Sequence, residues 1–209
     1  MRPTLDKKCR LCRTEGVKLY LKGDRCFSAK CPFERKGAIR PGTHGQKRAG
    51  KLTDYGLQLR AKQKAKRIYG VTETVFKNYY LKAKKLKGQV GDNLMILVER
   101  RLDNIVYLAG LSLSRSHARS LVSHKNILVN NKVLNIPSYS VQVGDVISLK
   151  DKIAKNIGDT LRVADKDFQA PEWLDLNKGK YSVKLLALPT IDSNHNGIDI
   201  NLIIEYYSR

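Results

Sequence analysis

The hydrophobic positions of this chain keep a helical period through its middle and change to a strand period after residue 125. In LQLRAKQKAKRIY, residues 57–69, the apolar positions Leu57, Ala61, Ala65 and Ile68 fall on one face, and Gly70 stops the run. Thr72 is placed to cap a second helix whose stripe is Val75, Phe76, Tyr79 and Ala83. A third run, Leu94, Leu97, Val98, Leu102, Ile105, Val106 and Ala109, is either one helix or two abutting ones, ended by Gly110. Ser114 then caps RSHARSLVSHK, with Ala118, Leu121 and Val122 facing inward.

Beyond that helix, ILVNNKVL reads as a hairpin about Asn130-Asn131, because Asn tolerates positive φ. SYSVQVGDVISL reads as a further strand pair about Gly144-Asp145. Residues 99–150 are thus expected to form an α-α-β-β-β module. Lys152 to Arg162 reads as a helix, and Trp173 as a packing anchor. In GIDINLIIEYYSR the apolar residues alternate from Ile198 to Tyr206, which suggests a strand; a short terminal helix after Asn201 is the alternative.

Charge changes the picture. The chain has 209 residues, room for one compact domain or two small ones, and a net charge of +21. Residues 1–90 carry 25 basic and 6 acidic residues; residues 91–209 carry 15 and 13. Such asymmetry suits a polyanionic partner, because Lys and Arg that neutralise phosphates release condensed counterions. The helix at 57–69 carries Arg60, Lys62, Lys64, Lys66 and Arg67, with no acid from Gln58 to Thr72. Its self-repulsion would be relieved by phosphates. Lys82, Lys84, Lys85 and Lys87 extend the basic surface, and Arg115 and Arg119 lie at i, i+4 opposite the apolar face of their helix, with His117 and His124 nearby. No run approaches a membrane span, so no membrane partner is expected, and MRPTLDKKCR lacks the apolar run of a secretory signal.

All four cysteines lie between Cys9 and Cys31, spaced Cys-x2-Cys-x13-Cys-x4-Cys as Cys9, Cys12, Cys26 and Cys31. Two close pairs about a short excursion can deliver four thiolates to one tetrahedral ion. Arg10, Arg13, Arg25 and Lys30 flank the pairs and favour thiolates. Residues 1–45 have few large apolar side chains, and so small a segment needs a staple. Zinc is expected as one structural ion, with an iron–sulfur cluster as the alternative. No Walker-type loop, GxSxG or HExxH is present; Asp165, Asp167 and Asp175 read as polar surface. Neither an enzyme nor a small-molecule substrate is expected.

These residues resemble the bacterial small-subunit ribosomal protein S-four family, in its four-cysteine type. The cysteine spacing carries part of the likeness, GTHGQKR at 42–48 resembles the family's basic loop, and KQKAKRIYG at 62–70 its basic helix. Residues 99–145 are similar to the RNA-binding module named after the family, and IIEYYSR at 203–209 to its C-terminus. Four positions depart from the family pattern: Arg40, Thr43, Ala61 and His117. The resemblance implies a cytoplasmic constituent of the small ribosomal subunit. It would bind small-subunit rRNA early, nucleate assembly of the subunit body, touch neighbouring ribosomal proteins near the mRNA entry path and influence decoding accuracy. It places Ser114, Arg115, His117, Arg119 and His124 on an RNA-facing helix. It places Lys47, Arg48, Arg60, Lys62, Lys64, Lys66, Arg67 and Tyr69 on an N-terminal RNA surface. Module-bearing RNA-modifying enzymes and zinc-bearing DNA-binding regulators are the rivals; some 59 residues beyond 150 are too few for a catalytic domain.

The expected fold class is α+β: a metal-stapled segment (1–45), a basic helical domain (46–98), the inserted module (99–150), and a C-terminal part (151–209) that packs on the helical domain.

Overall fold

The computed structural model describes residues 7–46, 50–165, 168–190 and 197–209. It is a mixed α+β chain that divides into two units, residues 1–94 with 191–209, and residues 95–190.

In the first unit, the cysteine segment folds as α1 (Lys8–Glu15), a 3-10 turn (Gly23–Cys26) and α2 (Pro32–Lys36). The basic helix α3 spans Asp54–Tyr69, three residues longer at its start than the apolar period indicates. Thr53 supplies the reason, since its hydroxyl accepts from the Gly56 N–H at 3.2 Å. Helix α4 (Glu73–Ala83) follows; helix α5 (Val90–Glu99) runs on into the second unit. The terminal segment is helical, α9 (Ile200–Ser208), not the strand its alternation suggested. Asp199 caps it, accepting from the Asn201 and Leu202 N–H groups at 3.0 and 3.4 Å.

Packing by α9 rotates the predicted stripes of α3 and α4 by about one residue. Leu57, expected inside, is 43% exposed, while Gln58, Ala61, Lys62, Ala65, Ile68 and Tyr69 are buried. On α4, Phe76, Tyr80 and Ala83 are buried and Val75 is exposed. The Tyr207 ring stands 4.8 Å from Tyr80 and 6.3 Å from Phe76, which draws that face inward. Thr72 precedes α4 as expected, but its hydroxyl makes no cap bond.

Glu73 ties the three helices together. It accepts from Lys62 at 2.9 Å, Lys66 at 2.8 Å and the Tyr207 hydroxyl at 2.9 Å. Partial burial pushes its carboxyl up, but hydrogen bonds from Lys66, Lys62 and Tyr207 outweigh that and lower it to about 2. Its folded value thus lies below the unfolded one. The stabilisation is present above about pH 4.5 and is lost as pH falls toward 2. Solvent screening of this partly exposed carboxylate limits it to about 1 kcal/mol. Urea unfolding between pH 6 and 3 should show this acid-side loss in the wild type and not in Glu73→Gln. Equal pH slopes would refute it.

The second unit contains α6 (Leu102–Leu108), α7 (Arg115–Ser123), β1 (Ile127–Val129), β2 (Lys132–Val133), β3 (Val146–Leu149), α8 (Asp151–Ile157), β4 (Leu174–Asn177) and β5 (Ser182–Leu185). The run from Leu94 to Ala109 is therefore two helices, broken where Arg101 turns extended at φ −65°, ψ 137°. The hairpin forms as expected, with Asn130 and Asn131 at φ 49° and 62°.

The second expected strand pair does not form. Ser140 makes a single bridge to Arg101, and Gln142 enters a turn in which its N–H donates to Asp145 Oδ2 at 2.8 Å. Instead β3 finds its second partner beyond residue 150. The sheet is antiparallel in the order β2-β1-β3-β5-β4, with Ile147 opposite Val183 and Leu176 opposite Val183. The boundary expected at 150 thus does not divide the sheet: residues up to 190 build with the module. The inner face of the sheet, Ile127, Val129, Ile147, Leu149, Val183 and Leu185, packs on Leu102, Ile105, Val106, Leu121 and Val122 of the two helices. Trp173 packs against this core.

Candidate nucleic-acid interface

Helix α7 is the best-positioned candidate, and its own sequence sets it up. The Ser114 hydroxyl accepts from the His117 N–H at 3.3 Å, starting the helix, while Ala118, Leu121 and Val122 bury one face. That face fixes the opposite rotation, and Arg115 and Arg119 emerge together one turn apart.

A buried polar network stands behind them. Arg101, 2% exposed, donates to Asp103 Oδ1 at 3.0 Å and Oδ2 at 2.6 Å. Asp103 Oδ2 lies 3.8 Å from the Arg119 guanidinium. Asn104 donates to the Glu99 carbonyl at 3.0 Å and to its carboxylate, and its own Oδ1 accepts from Arg115 at 2.9 Å. The Arg115 guanidinium lies 4.4 Å from the centre of the Tyr107 ring. Each arginine of α7 is therefore oriented from below by a group on α6. Sequence reading passed over Glu99, Asp103 and Asn104; polar residues inside an otherwise apolar helical run were their available signal.

The other expected RNA-facing residues differ among themselves. Ser114 is 7% exposed and spends its hydroxyl on the cap, so it is a structural residue rather than a surface contact. His117 is half-buried, and burial lowers its imidazole below the ordinary value; its Nδ1 accepts from the Leu113 N–H at 3.4 Å. His124 is exposed at the end of α7.

On α3 the correction is larger. Lys62 is 3% exposed and lies 4.0 Å from the centre of the Tyr206 ring besides its bond to Glu73, so it is a packing residue rather than a phosphate contact. Tyr69 is buried at 4%. Lys66 is held by Glu73, Lys64 donates to the Gly197 carbonyl, and Arg67 and Arg60 pair with the buried carboxylate of Glu15. Burial raises the Glu15 carboxyl even against the pull of Arg67 and Arg60. Glu15 and Glu73 thus offset much of the repulsion that the sequence assigned to phosphate. By contrast Lys77, Lys82, Lys84, Lys85 and Lys87, on and after α4, are exposed. Lys47 and Arg48 lie outside the described residues.

The four cysteines line one cavity of about 20 Å³, with Lys8, Leu21, Lys22 and Phe33. Cys12, Cys26 and Cys31 are buried and Cys9 is half-buried. The Lys22 N–H donates to Cys26 Sγ at 3.4 Å. Burial pushes the Cys12 thiol up, and Cys26, Cys9 and Cys31 push in the same direction. The donor set fits a structural ion, although among the described residues no group of three or more His, Cys, Asp or Glu is already arranged to hold one. His44 is exposed.

The fold and this site define a two-unit α+β protein with a cationic helix face whose two arginines are oriented by buried partners. Residues 4–99 match the family model described as ribosomal protein S4/S9 N-terminal domain, and residues 100–147 match the S4 domain. The chain is 50% identical over 203 residues to small ribosomal subunit protein uS4 of Caldicellulosiruptor saccharolyticus, covering 96% of each chain. It is 48% identical to the protein of that name from Halothermothrix orenii and 49% to that from Desulfotalea psychrophila, at the same coverage. The chain belongs to the uS4 family of ribosomal proteins.

Proposed function

We propose that this chain is a structural constituent of the small ribosomal subunit that binds small-subunit rRNA directly and works in the cytoplasmic ribosome. Membership of a ribosomal protein family makes it a non-enzymatic component. The observation that carries the RNA reading is the α7 face, where Arg115 and Arg119 are each held by a buried partner on α6. His124 is exposed at the end of the same helix, and the exposed lysines from Lys77 to Lys87 supply a second basic surface. Arg60 keeps more solvent access, at 37%, than Lys62, Lys66 or Arg67. Early binding that nucleates the subunit body, contact with neighbouring ribosomal proteins near the mRNA path and an influence on accuracy belong to the same reading.

The test is competition binding of small-subunit rRNA against unrelated RNA of equal length and duplex DNA, across a salt series. Preference for the ribosomal RNA should persist at about 200 mM salt, where generic phosphate binding fades. Equal affinity for all three would reduce the +21 charge to a generic polyanion effect.

Cys9, Cys12, Cys26 and Cys31 are proposed to hold one structural ion, zinc in preference to an iron–sulfur cluster. Support comes from their common cavity and an all-sulfur donor set, which leaves no position for catalysis. The bound ion would staple α1 to the Gly23–Cys26 turn and the start of α2. Chelation should expose residues 7–46 to protease while leaving the 95–190 unit folded. An unchanged digestion pattern after verified metal removal would refute the proposal.

A further inference from the structure

We infer that Arg162 is an additional phosphate ligand of this protein, set beside Arg115 by a shared aromatic ring. The inference rests on the RNA-binding reading above. It concerns a residue outside the matched 100–147 module, in the stretch where the sequence was least informative.

The backbone places it. Arg162 opens a 3-10 turn, Arg162–Ala164, between Leu161 and Val163, which are 2% and 1% exposed. The Val163 N–H donates to the Gly110 carbonyl at 3.1 Å, pinning the turn against the end of α6. With both neighbours buried, the Arg162 side chain is the one that points away from the core.

The rings then orient it. Its guanidinium carbon lies 5.1 Å from the centre of Tyr107 and 5.0 Å from that of Phe168. That of Arg115 lies 4.4 Å from the same Tyr107 ring. The two guanidinium groups are therefore no further apart than the sum of their distances to that ring. Aromatic contact occupies the faces of a guanidinium and leaves the N–H donors in its plane.

Among the described residues the Arg162 side chain makes no hydrogen bond or ion pair, whereas Arg13 is spent on the Ile39 and Arg40 carbonyls, Arg67 on Glu15 and Arg101 on Asp103. A phosphodiester oxygen fits, since a planar fork of donors binds it directionally. The sequence had Arg162 in hand only as the end of a predicted helix.

The test uses the full chain and a small-subunit rRNA fragment across a salt series, with Arg162→Ala, Arg162→Lys and, as a control, Lys180→Ala at an exposed site of the same unit. Arg162→Ala should weaken binding roughly five- to eightfold at 0.1 M salt and lower the salt slope by about 0.7–0.9, the signature of one lost phosphate. Arg162→Lys should keep the slope and lose part of the affinity; Lys180→Ala should change neither. Labelling wild-type arginines with a dicarbonyl reagent gives a readout independent of mutant folding, and Arg162 should be protected in the complex. A folded Arg162→Ala protein with wild-type slope, or full labelling of Arg162 in the complex, overturns the inference. Failure of the parent reading looks different: the wild type itself would show no preference for ribosomal RNA.

Discussion

Replacing Asp103 by alanine should destabilise the 95–190 unit by about 3–5 kcal/mol, the cost of removing one member of a buried ion pair. Arg101 is 2% exposed and both its bonds to Asp103 are short, so its guanidinium has no route back to water without opening the α5–α6 junction. Asp103→Asn should be nearly as damaging, since it keeps the shape and removes the compensating charge. A double replacement, Arg101→Met with Asp103→Leu, should recover most of the stability, because a well-packed apolar pair avoids desolvating either ion. Urea unfolding of the three variants checks this. A loss below about 1 kcal/mol for Asp103→Ala would mean that the pair behaves as a solvated one. The change should also reach RNA binding, because Arg119 loses the carboxylate that orients it.

Gly110→Ala should cost about 2–5 kcal/mol, for two separate reasons. The residue sits at φ 73°, where a Cβ strains the backbone by about 1–2 kcal/mol. A Cβ there would also stand 2.7 Å from a Phe168 ring carbon and 3.0 Å from the Val163 backbone nitrogen. Overpacking of that kind typically adds about 1–3 kcal/mol, and the backbone contact cannot be relieved by a rotamer change. Phe168→Ala in the same chain should therefore restore only part of the loss. Denaturation midpoints of the single and double variants measure it, and full recovery in the double variant would show that the ring alone sets the cost. The same site is where the Arg162 turn docks, so the substitution should weaken RNA binding as well as stability.

Much of the helical architecture was legible because its signals are local. The Ser114 cap, the apolar face of α7 and the Asn130-Asn131 turn need only neighbouring residues, and each lies where its pattern put it. The cysteine spacing likewise brings four thiols to one cavity. The strand at 138–143 was misread because alternation in SYSVQV satisfies a strand pattern without a partner to pair with. The true partner of β3 is β5, and no local pattern names it.

The candidate site was legible in part for the same reason. On α7, Arg115 and Arg119 stand opposite an apolar face, so burial of that face decides where they point. On α3 the residue types were plain but their surroundings were not. Glu15 precedes Arg67 by 52 residues, and Glu205 follows Gln58 by 147. A stretch without acids therefore read as a bare cationic surface.

What the sequence by itself determined was the helices in the middle of the chain, the Ser114 cap, the hairpin turn, the clustering of thiols and the excess of positive charge. Period, capping chemistry and charge are properties of residues close along the chain. Tertiary structure alone decided which cations remain available. Docking of α9 rotated α3 by about one position, burying Lys62 against Glu73 and Tyr206 and turning Leu57 outward. A helical period fixes which residues share a face. Which face is buried depends on what packs against it, and here that partner comes from the other end of the chain.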